Sequence, residues 1–197
     1  MTTSYHHGDL RQAIISITLE MIKDREEDKI GIREIARRLN VSRSAPYRHF
    51  KNIDDIYEVV IEEGYRFLIE RLKKVQDSHK TDPRETFIEL GVAYVAFAVD
   101  NPSHYRLMFD RRFQKGKAPQ GSESLPKEAF DILANTICDF IPLDHGKQSE
   151  KFTIVAWSFV HGLADLVIGG QIPLGKRPRT SIRDLCLKFV AMNHPGS

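Results

Sequence analysis

The sequence predicts an all-α protein in which an N-terminal three-helix helix-turn-helix module is joined to a larger helical domain. Apolar residues recur at i, i+3, i+4 and i+7 in one segment after another, and no segment alternates apolar with polar residues as a half-buried strand does. The crowding of arginines between residues 33 and 51 marks the module itself.

In chain order, Leu10, Ala13, Ile14, Ile17 and Met21 make one face of an amphipathic helix, and Ile32, Ile35, Ala36 and Leu39 repeat the pattern in a shorter segment. Asn40-Val41 breaks it. Ser42, a good N-cap, then opens a third segment ending near Phe50. Asn52 caps the next helix, with Asp54 and Asp55 in the first turn, where the helix dipole favours carboxylates. The apolar face of that helix starts at Ile53 and carries it to about Gln76. Pro83 suits the first turn of a helix over 84–99, and Asn101-Pro102 punctuates and restarts the chain. The Gly-, Pro- and Ser-rich stretch 115–126 reads as a loop. Two more helices are expected over 150–168 and 180–192, separated by the Gly/Pro-rich 169–178.

Composition narrows the function classes. With 197 residues, 41% hydrophobic and 28% charged, the chain can bury a core without disulfides or metals. Cys138 and Cys186 lie far apart, outside any CxxC pattern, and read as buried thiols in a reducing compartment. The longest uncharged apolar stretch falls short of the roughly 18 residues a membrane span needs, and Met1 to Leu10 lacks a signal peptide's apolar run, so a cytoplasmic protein without a membrane partner is expected. His6-His7 has no helical i, i+4 partner and makes a poor metal site, so neither metal nor cofactor is expected.

The net charge is only +2, so any case for nucleic acid must come from clustering. Between residues 33 and 51 stand Arg33, Arg37, Arg38, Arg43, Arg48 and Lys51 against the single anion Glu34, a local +5. That is the electrostatic footprint of phosphate binding. Asn40 falls at the turn, where a positive φ is needed and Asn is the best substitute for Gly. Beyond the core positions, Arg43, Ser44, Tyr47, Arg48 and His49 remain to face outward. Arg can bridge guanine O6 and N7, Ser can bond several bases, and Tyr and His suit phosphate oxygens. Pro46 costs a helical hydrogen bond in the first turn, where the loss is smallest.

The run Ile32-Arg33-Glu34-Ile35-Ala36-Arg37-Arg38, then Val41-Ser42, then Tyr47-Arg48-His49-Phe50 and Ile56, resembles the DNA-binding signature of TetR-type transcriptional regulators. Tyr5-His6-His7-Gly8-Asp9-Leu10-Arg11 resembles the opening of one subgroup, whose C-terminal domain bears a Trp…His-Gly motif. Asn101 to Phe109 and Trp157-Ser158-Phe159-Val160-His161-Gly162 are similar to that C-terminal domain. The family usually has Gly where Asn40 stands, and Lys where Ile53 stands. That Lys typically touches a phosphate, a role that does not carry over to Ile53; Lys51 or the backbone N–H groups of this helix end are the expected replacements. The resemblance implies a homodimer placing one reading element per subunit in a major groove. Half-sites then lie about 34–36 Å apart, or a multiple of that, in a pseudo-palindromic double-stranded operator. It also implies a small-molecule effector and, by default, a repressor that the effector releases; a constitutive DNA-binding regulator without a ligand is the alternative. The DNA-binding residues expected are Arg33, Ser42, Arg43, Ser44, Tyr47, Arg48, His49 and Lys51, within a DNA-binding domain over 1–52. Residues 53–197 form the regulatory and dimerisation domain.

The helix over 150–168 is apolar nearly all round, as expected if one face packs inward and another meets a second subunit. Paired across a two-fold axis with the last helix it would build a four-helix interface; Ser158, Val160, His161, Leu163, Asp165, Val167, Leu185 and Phe189 are the candidates. Ser158, His161 and Asp165 form one polar stripe, which either bonds across the dimer or lines a ligand cavity. As a catalytic triad the stripe fails, since no GxSxG elbow accompanies it; nor does the chain offer a phosphate motif, so no enzyme and no catalytic residue is expected. Tyr94, Phe97, His104, Tyr105, Phe109, Trp157 and His161 are the ligand candidates, aromatic surface with a few convergent polar groups.

Overall fold

The computed structural model describes residues 10–110, 112, 124–140 and 147–193, and every regular element among them is helical. The α-helices are α1 (Leu10–Lys23), α2 (Ile32–Arg38), α3 (Ile53–Ser78), α4 (Pro83–Asp100), α5 (Pro102–Phe109), α6 (Ser124–Phe140), α7 (Lys147–Ile168) and α8 (Pro178–Asn193). Two compact units divide them. The first takes the described residues up to Glu63 together with those from Ser103 to Arg112; the second takes Gly64–Pro102 with α6, α7 and α8. The division falls inside α3. Residues 1–9, with the Tyr5 to Asp9 part of the N-terminal motif, and Phe113 lie outside the described residues.

Local chemistry accounts for the helix ends. Helices α1 and α2 both stop in the same way, with one residue in the left-handed region: Arg25 at φ 59° and Asn40 at φ 53°. After α2, the Val41 amide bonds the Ala36 carbonyl at 3.0 Å and the Asn40 amide bonds that of Arg37 at 3.2 Å, the paired bonds of a Schellman end. Asn52 caps α3 as expected, its side-chain oxygen accepting the Asp55 amide at 3.0 Å, while the Asp55 carboxylate accepts the Lys51 amide at 2.8 Å. Asp82 caps α4 through the Glu85 amide at 2.9 Å, with Pro83 in the first turn.

In the first unit Ile14, Ile15, Met21, Ile22, Ile35 and Ile56 are fully buried around Phe50 and Val60. Each such side chain contributes about 1.5–3 kcal/mol by leaving water. Ile53 packs against this cluster, so the position that carries Lys in similar sequences here serves the core. Helix α5 belongs to the same unit. Leu107 is fully buried in its core, the Ser103 hydroxyl donates to the Leu19 carbonyl at 2.9 Å, and Arg106 donates to the Ile22 carbonyl at 3.2 Å. On the surface, Glu34 binds both Arg37 (2.7 and 2.8 Å) and Arg38 (2.9 Å), and Arg38 also pairs with Glu26. The local +5 is thereby reduced, because two of its six cations are already held.

In the second unit α4 is buried on nearly every side and packs against α6, α7 and α8. Gly91 lets them close in: a Cβ there would meet Cys186 Sγ at 3.0 Å. Arg183 fastens α8 to α4 by bonding Glu85 (2.6 and 2.8 Å) and Glu89 (3.0 Å). Cys186 is buried, and burial pushes its thiol up to about 12; Cys138 is only half-buried. One expectation needs correction. The stretch 115–126 does not run as loop to its end, because α6 starts at Ser124 with Pro126 in its first turn. Glu150–Ile168 is, by length and composition, apolar enough to cross a membrane (mean hydropathy 1.4), although it carries Glu150, Lys151 and Asp165 and buries Thr153, Ala156 and Ala164 in the bundle.

Replacing Leu107 by Ala should destabilise the protein by about 2–5 kcal/mol in urea unfolding, the cost of a core cavity. The neighbouring guanidinium groups hold the Glu34 carboxyl near 2, against an ordinary 4.5. A depressed carboxylate stabilises the fold above its unfolded value and ceases to do so as pH falls from about 4.5 towards 2. The side-chain carboxyl signal of Glu34 should therefore titrate near 2 in a carbon-detected NMR series, and in Arg37→Ala its midpoint should rise.

Candidate nucleic-acid interface

The Schellman turn at Asn40 ends α2 and sends the chain into residues 41–50, the segment expected to be the second helix of the motif. It is not an α-helix. Bonds of the i→i+3 kind run from the Ala45 amide to Ser42 (3.0 Å) and from Arg48 to Ala45 (3.2 Å), and the regular part is one 3₁₀ turn, Pro46–Arg48. The reason is local: Pro46 has no N–H to give the Ser42 carbonyl, so an α-helical turn cannot close there. Nor does Ser42 act as an N-cap; its hydroxyl lies 3.3 Å from that of Ser44. Buried Pro46 and Phe50 pin the segment to the core and leave the intervening residues to solvent.

All eight expected DNA-binding residues are exposed: Arg33 at the start of α2, Ser42, Arg43, Ser44, Tyr47, Arg48 and His49 on the segment, and Lys51 just before α3. Tyr47, at 52% exposure, is a large ring held in water with no packing role. Among the described residues no carboxylate pairs with the side chains of Arg33, Arg43, Arg48 or Lys51, in contrast to Arg37 and Arg38. The four open cations all come from one stretch of 19 residues, within which Glu34, the one acid, is held by Arg37 and Arg38. Arg11 joins them, exposed on α1 with its guanidinium 5.5 Å from the centre of the Phe50 ring. Sequence reasoning passed over it because only the fold brings residue 11 beside residue 50.

The ligand candidates fall into two groups. In the second unit Tyr94, Trp157 and His161 come together. The indole N–H of Trp157 donates to the Tyr94 oxygen at 3.4 Å, and that hydroxyl lies 3.0 Å from His161 Nδ1. An indole nitrogen can only donate, so the phenol oxygen accepts it, and the direction of the second bond follows the tautomer of the His161 ring. Burial pushes His161 below the ordinary histidine value, with the Asp165 carboxylate pulling the other way. Phe97 is fully buried, with Arg71 5.9 Å from its ring centre. The remaining three belong to α5 in the first unit. Tyr105 is core, its ring 4.9 Å from that of Phe109, and His104 lies 3.9 Å from Glu63 with burial lowering its proton affinity.

The dimer candidates also divide. Val160 and Leu163 are buried within the subunit, and Phe189 stacks on Phe159 at 4.5 Å. Val167 and Leu185 are half-buried, whereas Ser158 and Asp165 are exposed. The outward face of α7 instead shows Ile154, Val155, Trp157 and Leu166, each 38–48% exposed. The sequence places them on a helix that is apolar nearly all round, with one face expected inward and another against a second subunit, and it makes Trp157 a ligand candidate.

Residues 14–60 match a family described as bacterial regulatory proteins of the tetR family, and residues 87–189 match the tetracyclin repressor-like C-terminal domain. The chain is 24% identical over 150 residues to the HTH-type transcriptional activator FasR of Mycolicibacterium smegmatis, covering 76% of this chain and 67% of that one. Its fold is similar to a protein of unknown function from Rhodococcus sp. RHA1 (TM-score 0.74, 23% identity, 95% of this chain and 97% of that one). It is also similar to a TetR-family transcriptional regulator from Bordetella parapertussis (TM-score 0.76, 12% identity, 93% and 94%). With a DNA-reading segment matched at one end and more than half of the chain matched behind it, the protein belongs to the TetR family of DNA-binding transcriptional regulators.

Proposed function

We propose that the protein is a homodimeric, sequence-specific regulator that binds a pseudo-palindromic operator, with residues 1–52 as the DNA-binding part and 53–197 as the regulatory and dimerising part. The observation that carries this reading is the exposed, unpaired set Arg33, Arg43, Arg48 and Lys51 on a segment anchored by Pro46 and Phe50. Arg43 and Ser44 are the base-reading candidates; Arg33, Ser42, Tyr47, Arg48, His49 and Lys51 position the backbone. Lys51, rather than Ile53, supplies the phosphate contact at the start of α3.

Dimerisation rests on α7. An exposed face that carries Ile154, Val155, Trp157 and Leu166 around Ser158 and Asp165 is unfavourable for a lone subunit and suits an isologous contact. A small-molecule effector then acts by population shift, favouring a conformer whose reading segments no longer match the half-site spacing. Tyr94, Trp157 and His161 are the ligand contacts supported by geometry, and the same Trp157, His161 and Gly162 support placement in the Trp…His-Gly subgroup. Derepression is the default outcome. The similarity to a protein named as an activator favours a second reading, in which the bound regulator raises transcription. A promoter reporter with and without the regulator separates the two by sign.

Selection of bound DNA from a random library should return an inverted repeat. On that site Arg43→Ala should lose about 1–3 kcal/mol and relax preference at one position per half-site. Lys51→Ala should instead weaken all sequences alike and flatten the salt dependence by about one unit for each phosphate contact removed. Equal loss on every sequence for Arg43→Ala would reassign Arg43 to the phosphates. For the dimer, Ile154→Glu with Val155→Glu should halve the mass measured by light scattering and abolish tight operator binding; an unchanged mass would move the interface off α7.

A further inference from the structure

The second unit carries a groove of about 640 Å³ bounded by α3, α4 and α8, to which none of the ligand candidates named from the sequence contributes. Its size lies within the range of about 300–1,000 Å³ typical of small-molecule sites. Ala93 and Ala96, one turn apart on α4, give its wall two truncated side chains where α4 otherwise carries Phe, Tyr and Val. Buried Ile182 and half-buried Val75 continue that apolar surface.

The charges around it are unevenly answered. Asp100 is held by Arg71 at 2.7 Å, and Glu89 is held by Arg183 at 3.0 Å. Lys74 and Arg179 are exposed, and no carboxylate pairs with either among the described residues. Both acids of the groove thus have cationic partners, while two of its cations have none. An anion gains more from them than an uncharged acceptor does, and a cation would be repelled.

We infer that this groove binds an amphipathic organic anion, its acidic headgroup held by Lys74 and Arg179 and its apolar body seated on Val75, Ala93, Ala96 and Ile182. Carboxylate, sulfonate and phosphate headgroups share the required chemistry. The groove is a site separate from the Tyr94, Trp157 and His161 cluster, and it rests on the effector reading only where its occupancy is to change DNA binding.

The test is a fluorescence titration of the full chain with anilinonaphthalene sulfonate, an aromatic anion of suitable size. One saturable site per chain is expected, displaced by octanoate or octyl phosphate and not by octanol; the two acids distinguish the headgroup. Lys74→Glu with Arg179→Glu should weaken binding by about tenfold or more, with far-UV circular dichroism unchanged. Ala96→Trp, which fills the groove while leaving both cations in place, should abolish it. Unchanged affinity in both variants, or displacement by octanol as effective as by octanoate, overturns the inference. Operator binding by the same proteins without probe is read separately. A chain that binds the anion but no DNA refutes the regulator and keeps the site, and one that binds operator with its groove inert does the reverse.

Discussion

A guanidinium already chelated by a carboxylate has little left to offer a phosphate, and in the N-terminal unit Glu34 imposes that constraint. By taking Arg37 and Arg38 it divides the basic segment into cations that fasten α2 and cations that remain open. Charge density alone would have sent all six to DNA. With Glu34 satisfied locally and Glu26 enlisted from outside the segment, Arg33, Arg43, Arg48 and Lys51 are the cations of the segment that no carboxylate holds among the described residues. The positive φ of Asn40 matters for the same reason: without a tight stop to α2 the chain could not bring Pro46 and Phe50 down onto the core and leave Arg43 and Arg48 in water.

Much of this was legible because its causes are local. Asn40, Asn52 and Pro83 act within a few residues, so the stop of α2 and the starts of α3 and α4 follow from composition and spacing, whereas the Asp82 cap emerges only in the structure. The signature between Ile32 and Ile56 carried the family for a similar reason. What stayed hidden depends on distance or on competing signals. Helix α6 was overlooked because Ser124 and Pro126 continue a Gly/Pro/Ser-rich stretch, and its buried positions Ile132, Thr136 and Ile137 include a polar residue. The 3₁₀ turn replaced an expected α-helix on account of one missing N–H at Pro46. Neither the Arg11–Phe50 contact nor the groove can be read from periodicity, since each joins residues from elements far apart in the chain.

The C-terminal unit obeys a different rule. Helix α4 has no solvent stripe to spare, so α6, α7 and α8 pack around it. The aromatic wealth of this unit is then mostly core: Phe87 lies against Phe140 and Phe152, and Phe159 against Phe189. Polar side chains inside it are accordingly few, which is why the bonded trio Tyr94, Trp157 and His161 stands apart from its surroundings.

The fastening of α5 to α1 has a consequence for the order of events during synthesis. Ser103 and Arg106 each bond a carbonyl of α1 that precedes them by 84 residues, and Leu107 completes the same core. A nascent chain that has released only its first sixty or so residues from the ribosome therefore lacks a wall of its own reading head. That head reaches its finished form only after α4, a helix of the other unit, has also emerged. The core of the first unit is thus completed only by residues of α5, which are made after α4.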